Sequence, residues 1–168
     1  MRASPSRETP LYSERVRAAA WFHLLAGVLV LALAVTLIVA LAVDFDPVAL
    51  VVSLVALPLV LLVLYNFSVL TIDVTRDAVR FGFGPISRRI PLAEIEAVEA
   101  AGYRWLDFGG WGIRFALGGR RAWSVPGPKR CVIIWPRPRD GKQRSYYVSS
   151  RRPEELAIAI ERVRAAIS

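Results

Sequence analysis

Two stretches of this chain contain no Asp, Glu, Lys or Arg: Ala18 to Val43 and Pro47 to Ile72, with only Asp44, Phe45 and Asp46 between them. A bilayer hydrocarbon core about 30 Å thick is crossed by about 20 helical residues, so either run is long enough to span it. The pattern predicts two transmembrane helices, over about 20–43 and 47–67, joined by a tight acidic loop into an antiparallel hairpin. These runs account for an overall hydrophobic content of 55% and a mean hydropathy of +0.43, above the roughly 45–50% apolar usage of soluble domains. A cleaved secretory signal is the competing reading of the first run, since Arg15 and Arg17 precede it and Ala40 and Ala42 imitate a cleavage site. Its apolar core far exceeds the roughly 7–15 residues of a signal, and a second run follows almost at once.

Orientation follows from the positive flanks, because Arg and Lys near the ends of spans are retained on the cytoplasmic side. Arg2, Arg7, Arg15 and Arg17 precede the first run, whereas the inter-span loop holds only Asp44 and Asp46. Both termini are therefore expected in the cytoplasm, with the hairpin in the plasma (inner) membrane. The chain divides into a cytoplasmic N-terminal tail (1–17), the hairpin (18–68) and a C-terminal domain (69–168). That last part has 18 Arg and Lys against 10 Asp and Glu, and so carries the whole net charge of +8. Cys131 is the only cysteine, which rules out an intrachain disulfide framework and is compatible with a reducing compartment. Only Lys129 and Lys142 are lysines; the Arg bias, with heavy Ala and Val use, is a compositional habit of GC-rich bacterial genomes.

Beyond Asn66 the pattern changes to short segments of period two, the mark of half-buried strands. "SVLTIDVT" sets Leu70, Ile72 and Val74 against Val69, Thr71 and Asp73, and the strand grows directly out of the second span. "VRFGFG" returns, Gly84-Pro85 turns, and "ISRRIPL" completes a three-stranded antiparallel meander. A short helical turn is expected at Ala93 to Ile95, running into a strand. "YRWLDFGGWGIRFALGG", "RRAWSV", "KRCVIIWP" and "RSYYVSS" supply further strands, for about seven in all. "RRPEELAIAIERVRAAIS" is a helix: Pro153 suits the first helical position and Glu154 and Glu155 suit the positive end of the helix dipole. Its apolar stripe, Leu156, Ile160, Val163 and Ile167, is expected to close one end of the sheet.

About seven antiparallel strands followed by one amphipathic helix resemble the pleckstrin-homology (PH) architecture. The wording "FGFGPISRRIPLAEIEAVEA…FGGWGIRF…SSRRPEELAIAI" is similar to bacterial PH-like domains carried by small membrane proteins, over residues 69–168. The motifs are Gly84-Pro85 ahead of "IPLAEIEAVE", and the run Gly109, Gly110, Trp111, Gly112, Ile113 and Arg114 in mid-domain. "YSER", Tyr12 to Arg15, ahead of a double span also resembles small actinobacterial membrane proteins of unassigned role. The resemblance implies a membrane α-helical hairpin plus an α+β PH-like domain, and brings no reaction, cofactor or ligand with it.

The residues offer little to an enzyme. His23, the only histidine, lies within the first span. One His and one Cys cannot make a zinc site of ordinary spacing, and Cys131, in the apolar "CVIIW", has no histidine beside it to activate it. "GFGPIS" and "GGWGIR" lack the remaining features of phosphate-binding glycine loops. Glu94, Glu96 and Glu99 are read as exposed carboxylates on a strand edge. Neither span contains an ionisable Asp, Glu, Lys or Arg, so a proton or ion path is not indicated; Pro58 and Asn66 are the notable interruptions of the second. No catalysis, cofactor or metal is expected.

The positive feature is basic charge interleaved with aromatics: Arg88, Arg89, Arg104, Arg114, Arg120, Arg121, Lys129, Arg130, Arg137, Arg139, Lys142, Arg144, Arg151 and Arg152, among Trp105, Trp111, Trp123 and Trp135. Such a surface suits nucleic acid, but a domain tethered directly to the bilayer faces an anionic leaflet first. There each Lys or Arg contributes about 1 kcal/mol until salt screens it. Lys129 and Arg130 sit at one end of the strand "CVIIW" and Arg137, Arg139 and Lys142 at the other, so only part of this cluster can face lipid. Two functions are expected in this order: a membrane-anchored interaction module that binds a protein partner or a second copy of itself, and a binder of anionic lipid. Arg120, Arg121, Lys129 and Arg130 are the candidate lipid or partner contacts. Trp111 joins them through its loop, where the flanking glycines favour a structural corner over a ligand-contacting segment.

Overall fold

The computed structural model describes residues 9–42, 47–138, 141 and 143–167. Asp44 and Asp46 of the inter-span connection, Arg2 and Arg7 of the N-terminal flank, and Arg139 and Lys142 of the basic cluster lie outside the described residues.

The apolar runs are helical. The first forms α1 (Ala20–Ala42) and the second α2 (Pro47–Phe67), both long and apolar enough to cross a membrane. Each is apolar on every side, and most of its large side chains are exposed, the rest being half-buried. The buried positions are Ala40 in α1 and Ser53 in α2, small residues of the kind that let two helices approach closely. Two polar side chains bond back onto their own helices. Thr36 Oγ1 donates to the Ala32 carbonyl at 2.9 Å and Asn66 Nδ2 to the Leu62 carbonyl at 2.9 Å. α2 runs continuously through Pro58.

Residues Tyr12–Arg17 are an edge strand, β1, rather than part of a tail. β1 pairs antiparallel with β2 (Val69–Val74), from Tyr12 opposite Val74 to Arg17 opposite Val69. The whole helical hairpin is thus a connection between two neighbouring strands. β3 (Ala78–Phe83) and β4 (Ile86–Pro91) complete a sheet of order β1-β2-β3-β4, with the turn at Gly84-Pro85 where it was expected. A 3-10 turn at Leu92–Glu94 leads into β5 (Ile95–Gly102).

The second sheet has the order β5-β8-β9-β7-β6, adding β6 (Gly112–Phe115), β7 (Arg120–Ser124), β8 (Arg130–Pro136) and β9 (Ser145–Ser149). Nine strands are present among the described residues, not about seven. The pairing is not wholly antiparallel either: β9 is antiparallel to β8 but parallel to β7. β9 slots between two strands that themselves run in opposite directions, so one of its neighbours has to be parallel. "YRWLDFGGWGIRFALGG" yields only the four residues of β6 as strand, because a 3-10 turn at Trp105–Phe108 and the glycines occupy the rest.

The two sheets enclose one core. Leu70, Ile72 and Val74 face inward from β2 in the expected alternation, against Phe81, Phe83, Trp123, Val132, Ile134, Tyr146 and Val148. Phe83 stacks on Trp123 with ring centroids 6.0 Å apart, and Phe81 meets the same indole edge-on at 5.4 Å. The C-terminal helix, α3 (Pro153–Ile167), begins at Pro153 as the sequence indicates and inserts Leu156 and Ile160 into this core. Val163 packs at its margin, and Ile167 lies half exposed at the end of the stripe. Burying a side chain of this size contributes about 1.5–3 kcal/mol, so α3 is held by its stripe rather than by helix propensity.

A basic cleft at the foot of the hairpin

The hairpin joins the sheets through very short connections. Ala18 N–H donates to the Ser68 carbonyl at 2.9 Å, and Ala19 N–H donates to the Pro126 carbonyl at 2.8 Å. The chain leaving β1 is therefore stitched both to the residue that precedes β2 and to the β7–β8 loop. Gly127 in that loop has φ +121, and a Cβ there would lie only 3.0 Å from the Ala19 Cβ. A side chain at position 127 would push the loop off the start of α1.

This stitching opens a cleft of about 500 Å³ lined by Arg17, Ala19, Gly127, Pro128, Lys129, Arg130, Ser150 and Arg151. Four cations converge there, one residue from the first turn of α1. Arg130 is matched by Glu154, whose own backbone N–H and then the Arg130 guanidinium hold its carboxyl below the usual carboxylate range. Arg151 reaches over with Nη2 to the Arg17 carbonyl at 3.2 Å. Among the described residues Arg17, Lys129 and Arg151 have no carboxylate partner within ion-pair distance.

Beneath the cleft lies Glu14, a buried carboxylate of β1. It accepts from the Ser150 hydroxyl at 2.6 Å, the Arg151 backbone N–H at 2.8 Å and the Tyr12 hydroxyl at 3.1 Å. A buried carboxylate is tolerated only with such partners. Glu14 ties the strand that enters the hairpin to the loop between β9 and α3, and so fixes the two walls that carry Arg17 and Arg151. Burial, with the Glu14 charge beside it, pushes the Tyr12 hydroxyl up to about 12.

Of the residues singled out from the sequence, Lys129 and Arg130 enter the cleft. Arg120 and Arg121 do not; they start β7, at the far end of that strand from Ser124. The Arg120 guanidinium lies 5.7 Å over the Phe108 ring, and that of Arg121 lies between Phe115 at 5.4 Å and Tyr146 at 5.8 Å. Arg137 lies beyond the other end of β8, lining a small hollow with Arg88, Arg89 and Arg144.

Trp111 occupies a corner. Gly109 ends the 3-10 turn in the left-handed region at φ +67, Gly110 follows at +133, and Arg114 Nε donates to the Trp111 carbonyl at 2.9 Å. The indole stacks on Trp105 at 5.0 Å and meets Trp21, in the first turn of α1, at 5.6 Å. A Cβ on Gly112 would lie 3.7 Å from the ring of Phe67, the last residue of α2. The glycine-rich loop thus braces the domain against both ends of the hairpin.

A second, smaller core lies under this loop on the outer face of the five-stranded sheet, built on Tyr103, Phe108, Ala122, Cys131 and Ile133. The Tyr103 hydroxyl bonds Ser124 Oγ at 2.8 Å, and burial raises its pKa. Burial also pushes the Cys131 thiol up to about 12, so it packs as a hydrophobe rather than serving as a nucleophile.

Arg17, Arg151 and Glu14 belong to this site but were not among the candidate contacts; Arg151 stood only in the general basic surface, and Arg17 only as a flanking cation. The signal was there in "YSERVR", whose period-two alternation buries Glu14 and Val16 and exposes the residues between them; its shortness and polarity hid it beside the long apolar run. No family model matches the chain, and no match to it was found among the curated proteins or among the solved structures.

Proposed function

We propose that the protein is a two-span protein of the plasma (inner) membrane with both termini cytoplasmic, and that its PH-like domain holds anionic lipid in the cleft at the foot of the hairpin. The observation that carries this reading is the position of Arg17, Lys129, Arg130 and Arg151 around Ala19, immediately before the first turn of α1. If α1 spans the bilayer, these side chains lie at headgroup height, where each contributes about 1 kcal/mol toward an anionic surface. Arg130 contributes least because Glu154 shares its charge. The lipid reading therefore stands ahead of the protein-partner one, with Lys129 and Arg130 kept from the sequence and Arg17 and Arg151 replacing Arg120 and Arg121.

The test is lipid selectivity of the full chain in nanodiscs containing spin-labelled phosphatidylglycerol or phosphatidylcholine. The wild type is expected to restrict the motion of the anionic lipid preferentially, with a preference that weakens with salt. The triple variant Arg17→Gln, Lys129→Gln, Arg151→Gln is expected to lose most of it. Equal restriction of both lipids by the wild type would sink the reading.

A second reading, docking of a protein partner or a second copy, is favoured by β6. This strand is the edge of its sheet, with Phe115 and the adjoining Leu117 exposed, and an edge strand invites strand addition. Cross-linking through a cysteine at Phe115 tests it, the expected product being a covalent dimer or heterologous adduct that Arg114→Pro abolishes.

A further inference from the structure

The glycine-rich corner carries a second surface, separate from the basic cleft. Trp21, Trp111 and Trp105 form a continuous run of ring contacts, from the first turn of α1 through the Gly109–Gly112 loop to the 3-10 turn at Trp105–Phe108. The run ends in the open: Trp105 is 44% exposed and its neighbour Leu106 65% exposed. Arg104 flanks them, its side chain largely solvated and only loosely paired with Asp107 at 3.9 Å. The local backbone is built to present these residues. Gly109 reverses the chain at φ +67, and the Arg114 side chain fastens the Trp111 carbonyl.

We infer that Trp105 and Leu106 enter the interfacial layer of the bilayer beside the first turn of α1, making this corner a shallow membrane wedge. The inference rests on the reading of α1 and α2 as membrane spans, and is independent of lipid selectivity in the basic cleft. Continuity identifies the bilayer as the occupant. Trp21 stands at one end of a span, the place where indoles settle at headgroup depth, and the other two indoles are in ring contact with it or with each other. An amphipathic indole and a leucine with an arginine beside them match the layered chemistry of that zone, apolar below and anionic above. The physical consequence is a third point of attachment. Two chain connections at Ala19 and Ser68 fix the position of the domain, and a wedge to one side of them fixes its tilt.

The experiment uses the full chain in vesicles of phosphatidylcholine and phosphatidylglycerol, with a nitroxide at one of three exposed sites: Leu106→Cys, Leu31→Cys in the middle of α1, or Ile158→Cys on the outer face of α3. The native Cys131 is buried and stays unlabelled. Accessibility to oxygen, which partitions into lipid, is compared with accessibility to a water-soluble nickel chelate. The expected result is oxygen-dominated relaxation at 31, an intermediate oxygen-favoured ratio at 106, and nickel-dominated relaxation at 158. A ratio at 106 equal to that at 158, with 31 still in lipid, overturns the wedge while leaving the spans intact. Protection of 106 from both reagents also overturns it, since a protein then covers the site. Nickel access at 31 overturns the spans and the wedge together.

Discussion

α1 and α3 are both regular helices, yet their side chains are arranged on opposite plans. α3 buries one stripe, Leu156 and Ile160, and leaves Ile158 57% exposed between them among charged neighbours. α1 is apolar around its whole circumference and exposes most of it, half-burying only the face that carries Val30, Leu33 and Leu37, with Leu31 at 65% typical of the rest. A stripe is what a helix needs when water is on one side and a protein core on the other. An apolar surface on every side is stable only where the surroundings are apolar too. On the proposed membrane reading the two helices face different solvents, and the cleft and the tryptophan corner lie where those solvents meet.

The sharpest way to break this contrast is to cut into the buried stripe. Leu156→Ala is expected to lower the unfolding free energy of the sheet domain by about 2–5 kcal/mol, whereas Ile158→Ala, on the opposite face of α3, stays within about 0.5 kcal/mol. Denaturant titration of the full chain in detergent, followed by the circular dichroism of the sheets, measures both. Equal losses would mean that α3 is not organised by its stripe.

Charge is the complementary probe. Leu31→Arg is expected to weaken insertion of the hairpin by about 2.5–3.5 kcal/mol, read as the fraction of chain extracted from membranes by alkaline carbonate. Ile158→Arg, at nearly the same exposure in the structure, is expected to change nothing in that assay. If the two arginines behaved alike, exposure in α1 would mean water, and the membrane reading would fail.

A third prediction concerns the seam between the two regions. Glu14→Ala leaves the Ser150 hydroxyl and the Arg151 backbone N–H without their acceptor, and stranding buried partners costs about 1–3 kcal/mol. The loss is expected to appear as early proteolysis near Arg151 with the hairpin still inserted, because the clamp joins β1 to the β9–α3 loop and touches neither helix.

What the sequence disclosed follows the same division. The two helices, the β2–β3–β4 meander, the turn at Gly84-Pro85 and the start of α3 at Pro153 were legible because each depends on local periodicity or on a single residue's backbone constraint. The insertion of β9 between β7 and β8 was not, since strand order is decided by pairing across the chain and leaves no local mark. β1 was missed for a related reason: six residues of mixed polarity become a strand only when β2 offers its edge. The cleft inherited that gap. Lys129 and Arg130 could be picked out as loop cations, but Arg17 and Arg151 join them only through the β1–β2 register and the Glu14 clamp. Arg120 and Arg121 looked equivalent in the sequence and are instead spread over aromatic rings at the far end of β7.

The smallest expected effect lies in the outer core, and it sharpens the contrast by asking how dry the domain's own interior is. The Cys131 thiol titrates near 9 when exposed and is pushed up to about 12 by burial, with the Glu99 charge adding to the shift. Its folded value is raised, so the neutral thiol's contribution to stability is fully present below about pH 9 and is lost progressively as the pH rises toward 12. At pH 10, one unit above the ordinary value, the loss is about 1.4 kcal/mol. Tyr12 and Tyr103 are shifted in the same direction from 10, so the decline steepens above pH 10. Unfolding free energies at pH 8 and pH 10 are expected to differ in the wild type and to differ much less in Cys131→Ala, whatever the absolute stability of the variant. An unchanged difference in the variant would mean that water reaches the sulfur, and that the layer of Tyr103, Phe108 and Trp111 over the sheet opens far more readily than the core between the sheets.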